Sequence, residues 1–260
     1  MITETPPKRI RPPAVASMFY PGNAAELRNT VRSYLREADA EQNAFQLKNE
    51  ENSDLRALIV PHAGYSYSGN IAASAFRLLQ NNQPQFKRVL LLGPAHRVYL
   101  QGAAFPVADV FETPLGGIKL DKERIRKLTE TYPWISLNDT AHAEEHSLEV
   151  QLPFLQETLG DFELLPLVVG ETKTEQLAEM IQHFSTDLST LIVVSTDLSH
   201  FHDYQTAQQK DAFTASVIEL LDPQKLSPED ACGAYPLSGA LVAAFQNKWK
   251  IHRLGLCNSG

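Results

Sequence analysis

Four short apolar runs of strand length, at residues 57–60, 88–92, 162–169 and 191–195, are separated by segments of helical periodicity such as 71–79 and 148–159. Few folds satisfy that alternation. Strands that take turns with helices align into a mainly parallel or mixed sheet, with helices covering both faces. Each run is too short and too apolar to belong to an exposed antiparallel meander. The expected fold class is therefore α/β, with a central sheet flanked by helices.

The chain has 260 residues, enough for one substantial core, and neither an internal repeat nor a low-complexity tract divides it. Residues 1–13, rich in Pro, Lys and Arg, read as a flexible N-terminal arm, and residues 14–260 as a single α/β domain. A first helix is expected after Asn23, a good N-cap with Glu26 in the capping-box position, and it carries the stripe Leu27, Val31, Tyr34 and Leu35. The polar stretch 41–54 reads as a loop or a frayed helix end. In residues 107–120, Pro114 and the pair Gly116-Gly117 mark a turn joining two antiparallel strands.

Composition removes several function classes. A net charge of -8 leaves no basic surface to displace counterions from phosphates, so nucleic acid is not an expected partner. No apolar run approaches the roughly 20 residues needed to cross a bilayer, and the N-terminus lacks the apolar stretch of a secretory signal. Only two cysteines are present, Cys232 and Cys257, which is no disulfide framework. The cytoplasm is the expected compartment.

The chemistry collects where the strands end. The first run leads into Pro61-His62-Ala63-Gly64-Tyr65, the second into Gly93-Pro94-Ala95-His96, and the fourth into Thr196-Asp197-Leu198-Ser199-His200. Ligands of open α/β sheets bind beyond the carboxyl ends of the strands. A single histidine in a strand–helix turn usually caps or packs. Three at equivalent positions point to one shared site. Cys232 opens Cys232-Gly233-Ala234-Tyr235-Pro236-Leu237, ahead of a helix in which Leu237, Leu241 and Phe245 share a face; the positive end of a helix dipole favours thiolate, although free cysteine is often no more than a small buried hydrophobe. Glu145 and His146 precede another helix. They either partner its dipole or serve as an acid/base or as hydrogen-bond support for an imidazole ligand. His142, His183, His202 and His252 sit in contexts of packing or surface, and Cys257 reads as structural or incidental.

With these residues assembled, the chain resembles the Memo family, in the style of the bacterial and archaeal members called AmmeMemoRadiSam system protein B. The resemblance rests on six stretches in order along nearly the whole chain. They are Ser17-Met18-Phe19-Tyr20-Pro21, Pro61-His62-Ala63-Gly64-Tyr65, Leu92-Gly93-Pro94-Ala95-His96, Glu145-His146-Ser147-Leu148-Glu149, Ser195-Thr196-Asp197-Leu198-Ser199-His200 and Cys232-Gly233. The resemblance implies a fold similar to class III (LigB-type) extradiol dioxygenases. It implies a metal held by His62, His96 and Cys232, with His200 and Asp197 beside it and Glu145 and His146 near. Thiolate then stands where the dioxygenases use a carboxylate, which argues against ring cleavage and favours iron, copper or zinc over magnesium or calcium. Family members also continue past Asn258-Ser259-Gly260 into a further strand, so a sheet edge is expected to be exposed here.

Three functions are in play. The first is iron- or copper-dependent redox or oxygen chemistry on dioxygen or a small aromatic or redox molecule, with His200 as general acid/base oriented by Asp197. The second is a non-catalytic interaction module. The family implies phosphotyrosine peptides as partners in animals, and AMMECR-type and radical-SAM proteins in the bacterial style. The third is zinc-dependent hydrolysis with water in an open position. A serine nucleophile is not expected, because no G-x-S-x-G elbow occurs.

Overall fold

The structure is a computed structural model and describes residues 8–42, 55–80 and 86–258. In chain order the elements are β1 (Ile10–Arg11), α1 (Ala24–Gln42), β2 (Ala57–Val60), α2 (Tyr65–Phe76), β3 (Arg88–Pro94), β4 (Ala103–Phe105), β5 (Val110–Thr113), β6 (Gly116–Lys119), α3 (Lys122–Thr131), β7 (Ile135–Leu137), α4 (Asp139–Ala143), α5 (Leu152–Leu159), β8 (Glu163–Val169), α6 (Thr174–Gln182), β9 (Thr190–Ser195), α7 (Tyr204–Glu219) and α8 (Ala234–Gln246). All four expected strands are present.

The main sheet has the order β2-β9-β3-β8-β4-β7. Its four-strand core is parallel, β4 runs antiparallel to β8, and β7 runs parallel to β4, so the sheet is mixed. The interior strands β3, β8 and β9 are buried almost throughout, which explains their unbroken apolar runs. The edge strand β2 alternates half-buried and buried residues. Going from β2 to β3 moves one way across the sheet and from β8 to β9 the other, so right-handed crossovers put α2 and α6 on opposite faces. Helices accordingly pack in two groups, α1 with α2 and α5, and α6 with α8. Among the described residues nothing after α8 forms a strand, and β2 and β7 are the outer strands.

Local expectations hold in most places. The Asn23 side chain accepts from the backbone N–H groups of Ala25 and Glu26, and Leu27, Val31 and Leu35 of α1 are buried. The 107–120 region is the hairpin of β5 and β6. Phe245 departs from the expected face: Leu237 and Leu241 are buried but Phe245 is largely exposed. Two steps of four residues rotate a side chain by about 80° around a helix of 3.6 residues per turn, far enough to leave the buried stripe.

The N-terminal boundary needs correction. Ile10–Arg11 already pair with β5, which makes a second sheet, β1-β5-β6, and the Arg9 backbone N–H donates to Asp109. Arg11 is buried. Its guanidinium pairs with Glu149 and donates to the carbonyls of His142 and Glu145. An arginine placed among prolines looks solvated in sequence, yet here it neutralises a fully buried carboxylate. Residues 1–7 of the expected arm, residues 43–54 of the expected loop, and 259–260 lie outside the described residues.

Candidate functional site

The neighbouring strands β2, β9 and β3 end side by side, and each hands its chain to a candidate residue. His62 follows β2 by two positions, Asp197 follows β9 by two, and His96 follows β3 by two. A fourth segment, 145–151, crosses the same ends before α5. The rings of His62 and His96 have centroids 5.2 Å apart, His62 and His146 5.5 Å, and His96 and His146 4.8 Å in a stack. One nitrogen from each of the three lies within 4.8 Å of the others, close enough for a shared ion.

Cys232 arrives from beyond α7. Its backbone N–H donates to Asp197 O, and its Sγ accepts from the Asp197 backbone N–H at 3.3 Å and stands 3.2 Å from His62 Nε2. Gly233 seals this contact by donating to Thr196 Oγ1. The sulfur therefore meets the His62 imidazole across a wide separation in sequence, while the three nitrogens within reach of one ion are those of His62, His96 and His146. Burial opposes a charged sulfur, but the neighbouring His200, His62 and His96 outweigh it and lower the thiol to a pKa of about 3. Histidine contacts account for the thiolate, where the sequence had pointed to a helix dipole.

Each donor has a support behind it. Glu145 is buried; its Oε2 accepts from the His96 backbone N–H, and its Oε1 lies 3.0 Å from His96 Nδ1 and accepts from the backbone N–H groups of His146 and Ser147. Burial works against ionisation of both partners. Their mutual hydrogen bond wins, lowering Glu145 to about 2, and with the Cys232 contact it raises His96 to about 9. His62 Nδ1 lies 2.9 Å from Ser195 Oγ, and its backbone N–H donates to Asp197 Oδ1. His146 is held neutral, near 4, mainly by burial, and Phe19 packs on it with ring centroids 4.7 Å apart. His146 Nδ1 lies 3.4 Å from Glu145 Oε1 yet makes no hydrogen bond.

The other candidates fall at the rim or away from the site. His200 is exposed, and the nearby Cys232 sulfur raises its pKa. Asp197, expected to orient His200, spends its Oδ1 on the His62 backbone, while its Oδ2 lies 3.9 Å from His62 Nε2. His142 is buried away from the cluster, with Nε2 against Ala104 O. Cys257 is exposed. Sequence reasoning passed over Gln151 and the part Ser195 plays, and it gave Phe19 no role. One signal was available for Ser195: a hydroxyl closing an otherwise apolar strand needs a partner.

A family model described as Memo-like protein matches residues 11–244. The chain belongs to the Memo family. A MEMO1 family protein of Ignicoccus hospitalis is 34% identical over 226 residues, spanning 84% of this chain and 78% of that relative. One from Aquifex aeolicus is 35% identical over 222 residues, again 84% and 78%, and one from Methanobrevibacter smithii 34% over 248 residues, 90% and 86%. The Memo match begins at Arg11, so the residue of β1 that is buried against Glu149 lies within the matched region.

Proposed function

We propose that this Memo-family chain binds iron or copper through His62, His96 and Cys232 and uses it in redox or oxygen-linked chemistry. One observation carries the reading. A sulfur with the lowered pKa of a thiolate stands 3.2 Å from His62 Nε2, beside a second imidazole whose Nδ1 is tied to a buried carboxylate. Two nitrogens and a thiolate suit iron, copper or zinc. When bound, iron or copper supplies one-electron chemistry. The protein's own part is to hold donors and protons. Glu145 keeps His96 Nδ1 occupied, which leaves Nε2 as the binding nitrogen. Phe19 shields one face of His146 from water. His200, exposed and with its pKa raised by its contact with Cys232, is placed at the rim to take up or deliver a proton.

The substrate class we favour is dioxygen or a small aromatic or redox-active molecule, and the compartment a reducing cytoplasm, in keeping with two free cysteines. Among the described residues no helix is long and apolar enough to cross a membrane. A second reading is binding without turnover, to AMMECR-type or radical-SAM partners. It draws on Phe201 and Met18, which project into solvent beside His200 and Phe19. Elemental analysis of anaerobically prepared wild type, with His62→Ala, His96→Ala and Cys232→Ser in parallel, tests the metal reading. Stoichiometric iron or copper in wild type and its loss in all three variants is expected. Zinc alone would turn the reading to hydrolysis, and equal metal contents in all four proteins would end it.

A further inference from the structure

Resting on the metal-binding reading above, we propose that Ser195, locked by Gln151, is a positioning residue that dictates which nitrogen of His62 carries hydrogen, leaving Nε2 as the nitrogen that binds. Gln151 Nε2 lies 2.8 Å from Pro61 O and 2.9 Å from Ser195 Oγ. A carbonyl only accepts, so the Gln151 amide must present its NH2 on this side, and that NH2 has one hydrogen for each oxygen. Ser195 Oγ also lies 2.6 Å from Ser147 O, another carbonyl, which consumes the single hydroxyl hydrogen. The hydroxyl then has none left for His62. At 2.9 Å from Ser195 Oγ, His62 Nδ1 must be the donor. Nδ1–H is fixed, so any hydrogen held between Nε2 and Cys232 Sγ, 3.2 Å apart, is the one a metal ion displaces.

The four groups are buried, and Ser195 and His62 almost completely so, which keeps water from supplying an alternative partner. The two imidazoles are anchored at Nδ1 by different means, His96 by a carboxylate and His62 by a neutral hydroxyl. A neutral lock selects the tautomer without adding negative charge beside a thiolate.

The test uses the full chain, first metal-free and then titrated with cobalt(II). Nitrogen-15 NMR of the imidazoles, with His62 assigned by its loss in His62→Gln, is recorded at a pH where the ring is neutral. Wild type is expected to show His62 protonated at Nδ1. Ser195→Ala, which removes one oxygen from the core, is expected to move His62 towards the Nε2-protonated form and to weaken cobalt binding about 10- to 100-fold. Gln151→Met frees the Ser195 hydroxyl to turn, so a smaller change in the same direction is expected. His62 protonated only at Nε2 in wild type, or an unchanged tautomer in Ser195→Ala, overturns the proposal. The tautomer shift without cobalt binding in any protein supports the lock and removes the metal reading instead.

Discussion

Arg11→Ala is expected to be among the most damaging single changes outside the site. In the folded chain the pair is sealed from water, with 5% of the Arg11 side chain exposed and none of Glu149. The guanidinium also donates twice to His142 O, at 3.0 and 2.9 Å, and once to Glu145 O at 2.7 Å. After truncation Glu149 keeps the N–H groups of Ala14 and Val15 and the hydroxyl of Tyr20, but it has lost its only ion-pair partner among the described residues. Breaking a buried pair from one side costs about 3–5 kcal/mol, against a typical total of roughly 5–15 kcal/mol. The melting temperature should fall by about 6–20 °C, at some 2–4 °C per kcal/mol for a chain of this size. Urea titration of wild type, Arg11→Ala, Glu149→Gln and the double variant measures it. The double variant should lose less than the two single losses added together, because no orphaned charge remains. A loss below about 1 kcal/mol in Arg11→Ala, or simple additivity in the cycle, would refute the reasoning.

Three further changes probe other parts of the molecule. Glu145→Gln removes the charge that offsets burial around His96, so its pKa should drop from about 9 towards the ordinary range, read by NMR titration of the metal-free protein, with metal affinity down about 10- to 100-fold. His142 is depressed to about 4, chiefly by burial, whereas an unfolded histidine titrates near 6.5. Below pH 6.5 the unfolded chain gains a proton that the folded chain refuses, so stability should fall as pH drops from about 6.5 to 4, by up to about 3 kcal/mol; His142→Gln should flatten that part of the urea-midpoint profile. Gly233→Ala would put a methyl 2.7 Å from Thr196 Cβ and 2.9 Å from Ser195 O, backbone that cannot give way easily. A cost of about 1–3 kcal/mol and a faster reaction of Cys232 with a thiol reagent are expected, as the sulfur leaves its seat against Asp197.

What could be read from the chain was whatever its local pattern records. Runs such as 88–92 and 191–195 are apolar because both faces of a central parallel strand are covered, and that leaves a mark in one dimension. His62, His96 and Asp197 were legible for a related reason: each stands two residues past such a run, and strands side by side bring their ends together. Cys232 has no such marker, and family resemblance placed it. Partners chosen by three-dimensional contact were hidden. Nothing near Arg11 announces a carboxylate 138 residues away, and Gln151 looks like any polar residue at the start of a helix.

The segment 142–151 explains why these hidden contacts matter for the site. It carries two buried carboxylates four residues apart, Glu145 and Glu149, and they serve different masters. Glu145 holds His96, while Glu149 gathers Arg11, Ala14, Val15 and Tyr20 from the N-terminal stretch. Arg11 also grips the Glu145 carbonyl, so the N-terminal strand and the imidazole support share one short piece of backbone. Phe19, one residue before Tyr20, rests on His146 from the same side. Removing residues up to 13 would therefore loosen the site as well as the fold. Deletion of only residues 1–7, which leaves the β1 pairing whole, should spare both, and the contrast between the two truncations in melting temperature and metal content separates a structural strand from a dispensable arm.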